Sequence, residues 1–143
     1  MTTIHGAIRS LLLGSTDVTD LVSTRIYPVQ IPFGTSYPAI SIHEISGLED
    51  YVVGYEAHRY QVSIFSESFT IAQDIKQAIK LCLNRYSGTV DGHDIKSISF
   101  LSSLELYEDE SRMYHLPLDF QVVHYNDSGD NQQPTLNLDG GSA

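Results

Sequence analysis

The chain has 143 residues, 41% of them apolar, and 18 acidic against 8 basic side chains give it a net charge of −10. That length fits one domain with a single sheet-and-helix core, and the acidic balance argues against an electrostatic grip on nucleic acid phosphates. No run reaches the ~18 apolar residues of a membrane helix, Leu11-Leu12-Leu13 is too short for the apolar part of a signal peptide, and the single cysteine, Cys82, excludes an internal disulfide, so the expectation is a chain made and kept in the cytoplasm.

Residues 2–13 read as a first helix, because Ile4, Ile8, Leu11 and Leu12 recur on one helical face. Thr2 or Thr3 can cap its start and Gly14 ends it. A second short helix follows, capped by Ser15 or Asp17, with Val18, Leu21 and Val22 as its buried side. Arg25 to Val29 is a short extended piece, and Pro28, Pro32, Gly34 and Pro38 make the next stretch irregular.

From Pro38 the pattern alternates. Ile40 and Ile42 share one face of a strand that runs to Ser46, with Ser41, His43 and Ile45 on the other. Gly47 to Glu56 is either a mobile loop or the tip of a long hairpin, and a strand from His58 to Phe65 turns Tyr60, Val62 and Ile64 to one side. Residues 69–86 form the strongest helical pattern, with Ile71, Ile75, Ala78, Ile79, Cys82, Leu83 and Tyr86 as a continuous stripe, Ser68 or Thr70 as N-cap and Gly88 just past the end.

After the Asp91-Gly92 turn signal, a strand spans Ile95 to Tyr107, with Ile98, Phe100, Leu104 and Leu106 expected on one face. The acidic run Glu108-Asp109-Glu110-Ser111 reads as a turn into a last strand, Met113 to Tyr125, where Tyr114, Leu116, Leu118, Phe120 and Val122 line up. The expected fold is α+β: a mostly antiparallel sheet with one long helix (about 69–86) and the N-terminal helices packed on one face. Residues 1–125 form that domain. Residues 126–143, NDSGDNQQPTLNLDGGSA, carry three acids, no bases and few apolar groups, and are expected to be a flexible acidic tail.

No chemistry is written in the motifs. The six histidines (His5, His43, His58, His93, His115 and His124) form no HxxxH or HxH pair and have no cysteine beside them, so neither a metal nor a cofactor is expected. Strand pairing can still bring His43 to His58 or His115 to His124. No Gly-x-Ser-x-Gly or phosphate-binding glycine loop occurs, and Glu108, Asp109 and Glu110 lack the twelve-residue calcium-loop pattern, so no catalytic residue is assigned. A small enzyme or ligand-binding domain using His43, His58 or Asp119 in a pocket is the minor alternative. Tyr51, Val52, Val53 and Tyr55 stand out in another way. They place large apolar or aromatic groups after Leu48-Glu49-Asp50, and such groups either fold onto their own sheet or dock on another subunit.

Taken in order, Asp17-Val18-Thr19-Asp20-Leu21-Val22, Arg25-Ile26-Tyr27-Pro28, Tyr37-Pro38-Ala39-Ile40, Ile45-Ser46-Gly47, Tyr60-Gln61-Val62-Ser63-Ile64-Phe65, Leu106-Tyr107-Glu108 and Leu118-Asp119-Phe120 resemble the tail completion or tail terminator proteins of long-tailed bacteriophages. The resemblance runs from about Ile8 to Tyr125. It implies a structural virion protein, not an enzyme, that assembles as a ring, commonly a hexamer. Such a ring caps the tail tube, stops its polymerisation and forms the tail side of the head–tail joint. The implied partners are copies of itself, the tail tube protein and the neck or connector proteins. DNA passes through the lumen unbound, no membrane is involved, and the location is the head-proximal tail after assembly in the host cytoplasm. The same resemblance leaves another neck or tail role open, as a head-completion or tube protein. On this view Glu49, Asp50, Tyr51, Val52, Val53 and Tyr55, with Glu108, Asp109 and Glu110, are the candidate inter-subunit or tube contacts.

Overall fold

A computed structural model describes residues 3–125 apart from Val53, and for residues 48–52 it describes the backbone alone. The tail expected from Asn126 lies outside the described residues. The first helix, α1 (Ile4–Leu13), starts where the Thr3 side chain accepts a hydrogen bond from the Gly6 N–H at 3.0 Å. Gly14 closes it in a right-handed conformation (φ −79°), not the left-handed one that usually favours glycine at a helix end. Helix α2 (Thr16–Val22) buries Val18 and Val22, and helix α3 (Phe69–Leu83) is capped by Ser68.

Helix α3 ends three residues short of the expected Tyr86. Arg85 turns to φ 70°, its N–H donates to the Ile98 carbonyl at 2.7 Å, and the Ile98 N–H donates back to the Tyr86 carbonyl at 3.1 Å. The chain thus leaves the helix to bond along a strand, which the apolar stripe alone does not reveal. The buried face is Ala72, Ile75, Ala78, Ile79 and Leu83, with Ile71 exposed at the rim and Cys82 only partly buried.

The strands are β1 (Ile26–Pro28), β2 (Ala39–Val52), β3 (Tyr55–Ser66), β4 (Gly88–Val90), β5 (His93–Ser103), β6 (Leu106–Glu108) and β7 (Met113–Tyr125). They form one sheet in the order β1-β2-β3-β7-β5-β4, with β6 on β7 beyond the end of β5. The sheet is mixed, because β1 pairs parallel to β2 (Ile26 opposite Ile40). The fold class is α+β, as expected. The segment from Gly47 onward is the tip of a long β2–β3 hairpin.

Two registers run through the centre. Tyr60, Val62 and Ile64 stand opposite Phe120, Leu118 and Leu116, so these six side chains share one face. Ile40 and Ile42 extend that face through β2, and Ile98 extends it through β5. The three helices cover it: α1 lies over β1 and β2, and α3 over β3, β7 and β5. Arg9 fastens α1 to the sheet edge by donating from Nε to the Ile26 carbonyl at 2.8 Å.

The expected strand Ile95–Tyr107 is broken in two. Register shifts between Ile95 and Ser97 and between Phe100 and Ser102 each insert a residue against β7. A β-bulge resets which side chains face the core, so Leu104 and Leu106, expected beside Ile98 and Phe100, are exposed instead.

Candidate assembly surfaces

The two groups of sequence-predicted contact residues lie at opposite ends of the sheet. Tyr55 opens β3 directly opposite Tyr125, the last residue of β7. Glu108 closes β6 opposite Met113, the first residue of β7. With 13 residues between these limits and a rise of ~3.4 Å per residue, the two ends are about 40 Å apart.

Glu49, Asp50, Tyr51 and Val52 belong to the β2 end of the hairpin, where their side chains lie outside the described residues, as does Val53 entirely. Tyr55 is half-buried. Its ring packs 4.5 Å from that of Tyr125, their hydroxyls are 3.0 Å apart, and Lys96 Nζ sits 5.1 Å from the Tyr55 ring centre. The hydrogen bond to Tyr55 raises the pKa of Tyr125. At the other end Asp109 and Glu110 are exposed, and the Glu108 carboxylate accepts from Ser111 Oγ at 3.1 Å.

Both long edges of the sheet are open in part. Among the described residues, β1 pairs with β2 only as far as Ile42, so the outer edge of β2 beyond it has no neighbouring strand. On the other side β4 stops at Ile95, and among the described residues the edge beyond Phe100 has no neighbouring strand, with Leu101, Leu104, Leu106 and Tyr107 exposed along it. Uncovered edges and exposed apolar groups are features that proteins either shield or use for contact.

The sheet face away from the helices is polar at its centre. Arg59 donates to Asp119 Oδ2 from Nε at 3.1 Å and from Nη2 at 2.6 Å, and Gln61 donates to Oδ1 at 2.9 Å. The Asp119 carboxylate is largely enclosed, and a two-pronged guanidinium contact fixes its direction.

A different set gathers at the Tyr55–Tyr125 end on the helix side. His58 Nδ1 lies 2.5 Å from Glu44 Oε2, and Nε2 lies 2.8 Å from Glu56 Oε1. The His124 ring stacks on His58 at 5.2 Å with 14° between planes. Burial lowers the His58 pKa, but the hydrogen bonds and charges of Glu56 and Glu44 outweigh it, and the net shift is upward. Gly47 passes directly over this ring, and a Cβ there would collide with the imidazole.

This arrangement replaces both histidine pairings raised from sequence. His43 stands opposite Gln61, and His115 opposite Phe65, whereas His124 stands opposite Glu56 and one step diagonally from His58. His58 also lies on the opposite face from His43 and Asp119, so the three do not converge on one pocket. The parity of His58 with Tyr60, and of His124 with Val122, was readable in the strand alternation. The register that joins them was not.

Among the described residues, no helix is long and apolar enough to cross a membrane. A family model described as tail completion protein gp17 matches residues 6–125. No curated protein matches the chain by sequence. Among solved structures, a chain from the virion of a native gene transfer agent (GTA) particle has the same fold with a TM-score of 0.73 at 17% identity, over 86% of this chain and 95% of that one.

Proposed function

The chain belongs to the tail completion protein gp17 family, and from that membership we propose that it is the virion component that caps the tail tube, stops its growth and supplies the tail side of the head–tail joint. The family match across residues 6–125 is the observation that carries this reading. At the coarser level the chain is a structural protein of a phage-type tail. The fold shared with a chain of a gene transfer agent virion suits that setting.

The proposed assembly is a closed ring, hexameric, at the head-proximal end of the tail, built in the host cytoplasm. A ring of identical subunits needs two unlike, complementary surfaces on each copy. The uncovered outer edge of β2 and the uncovered edge at Leu101–Tyr107 lie on opposite sides of one sheet, and they offer two unlike surfaces for such a contact. Strand addition between such edges supplies main-chain hydrogen bonds.

The backbone of the hairpin tip, from Glu49 to Val52 and at Tyr55, and the turn at Glu108, Asp109 and Glu110 then face different neighbours about 40 Å apart, one towards the tube and the other towards the neck. A net charge of −10 suits a lumen past which DNA slides without being held. The protein acts by docking and carries out no reaction.

A cryo-EM map of the assembled particle tests the proposal. The chain is expected at the boundary between tube and neck, and density for it elsewhere overturns the reading. Deleting the gene separates it from other neck roles. Loss of a terminator gives tails of abnormal length that do not join heads, whereas loss of a head-completion protein gives normal tails and leaking heads.

A further inference from the structure

We propose that Glu56, His58 and His124 form a binding site for a divalent transition metal, with zinc the best fit. One ligand atom from each of the three lies within 4.8 Å of those of the other two. The set comes from two neighbouring strands, Glu56 and His58 from β3 and His124 from β7, so the ion would clamp β3 to β7 beside the hairpin tip.

The ligand chemistry matches. Two imidazoles and one carboxylate are a zinc donor set that leaves a fourth position for water. Each histidine already has the outer partner that a metal-bound imidazole uses. His124 Nδ1 is 2.9 Å from the Tyr125 carbonyl. That bond fixes the proton on Nδ1 and leaves Nε2 with its lone pair free. His124 is 97% buried, and among the described residues its Nε2 has no hydrogen-bond partner. An enclosed acceptor without a donor is costly, and a metal ion satisfies it. His58 Nδ1 rests on Glu44, giving the carboxylate–histidine arrangement that orients a ligand ring, while Nε2 faces Glu56.

Metal binding therefore replaces the proton that now bridges His58 Nε2 and Glu56. Tetrahedral zinc holds its ligand atoms about 3.3 Å apart. Glu56 and His58, 2.8 Å apart, must separate by about half an ångström, and the His124 donor, within 4.8 Å of the other two, must turn and close on them to reach the same spacing. Gly47, whose missing side chain gives the His58 ring its space, keeps that adjustment within reach.

The test uses the untagged full-length chain, stripped with a chelator and dialysed, and zinc sulfate in competition with a chromophoric chelator. The expected result is one zinc per chain. Thermal unfolding is expected to rise by about 8–13 °C at zinc 100-fold above Kd. Glu56→Gln and His124→Gln should each weaken binding by ~100-fold or more, and Glu44→Gln by about 10–100-fold. His115→Gln, at the far end of β7, should bind as the parent does. Circular dichroism confirms that each variant is folded, and Glu56→Gln carries the test where His124→Gln is not. Stoichiometry far below one, undiminished binding in Glu56→Gln, or equal loss in His115→Gln overturns the proposal.

Discussion

Truncating Phe120 is the sharpest probe of the core. This side chain is 1% exposed at the centre of β7, opposite Tyr60 on one side and Phe100 on the other. It meets the Phe100 ring edge-on at 5.6 Å, and Lys80 Nζ sits 4.4 Å over that second ring. Phe120→Ala therefore removes a fully buried aromatic group and an aromatic pair together, and leaves a cavity between two strands and α3. Large-to-small changes of this type cost about 3–5 kcal/mol, and the lost ring pair, about 0.5–1.5 kcal/mol, places this site in the upper part of that range. For a folded body of this size, each kcal/mol moves Tm by roughly 3–5 °C, so Tm should fall by roughly 15 °C. Urea and thermal unfolding, followed by circular dichroism, measure it. Leu81→Ala is the comparator, because Leu81 is 80% exposed, and it should change stability by less than about 0.5 kcal/mol. A loss under about 1.5 kcal/mol for Phe120→Ala would show that the site is not enclosed between β3, β5 and α3, and would refute the packing argument.

Other expected outcomes concern the polar groups and the strand ends. Leu118→Asp, which puts a charge opposite Val62 in the same core, should abolish cooperative unfolding, since an unpaired buried charge cannot be solvated. Gly47→Ala should cost about 1–3 kcal/mol by displacing the His58 ring, visible as a shifted His58 imidazole resonance. An unchanged resonance argues against that contact. Asp119→Asn removes the charged acceptor shared by Arg59 and Gln61 and should cost about 1 kcal/mol, read from the urea midpoint. His115 is held below its ordinary pKa by burial, with Glu108 opposing and His43 adding to the shift. The unfolded chain then binds this proton more readily than the folded one. The His115 contribution is therefore intact above about pH 6.5 and is lost as pH falls below it. Between about pH 7 and pH 5 the Tm of His115→Gln should decline less than that of the parent, and equal declines contradict the assignment.

Alternation carried most of the fold. Ile40 and Ile42, Tyr60 to Ile64, and Leu116 to Val122 fall on the core face as their period of two requires, and Ile75, Ala78, Ile79 and Leu83 lie on the buried face of α3 as the helical stripe requires. What the pattern could not carry depends on a neighbour. The end of α3 is set by bonds between Arg85, Tyr86 and Ile98. The exposure of Leu104 and Leu106 is set by bulges that exist only relative to β7. The parallel pairing of β1 needs Ile40 in place beside Ile26. The same holds for the candidate assembly surfaces. A run such as Glu108-Asp109-Glu110 announces a turn, but its separation from the hairpin tip follows from the length of β7. The meeting of Glu56 with His124 depends on register, which one-dimensional spacing does not encode.

The position of β7 has a mechanical consequence. It is paired with β3 from Tyr114 to Tyr125 and with β5 and β6 along most of its other side. A pull applied at its two ends loads those bonds together, in shear, and none can be peeled open first. A subunit held at Glu108 on one side and at the hairpin tip on the other carries tension through this strand. Its soft points are then the two-residue break at Leu104 and Glu105 and the short β1, where a stretched joint should give way before the centre does.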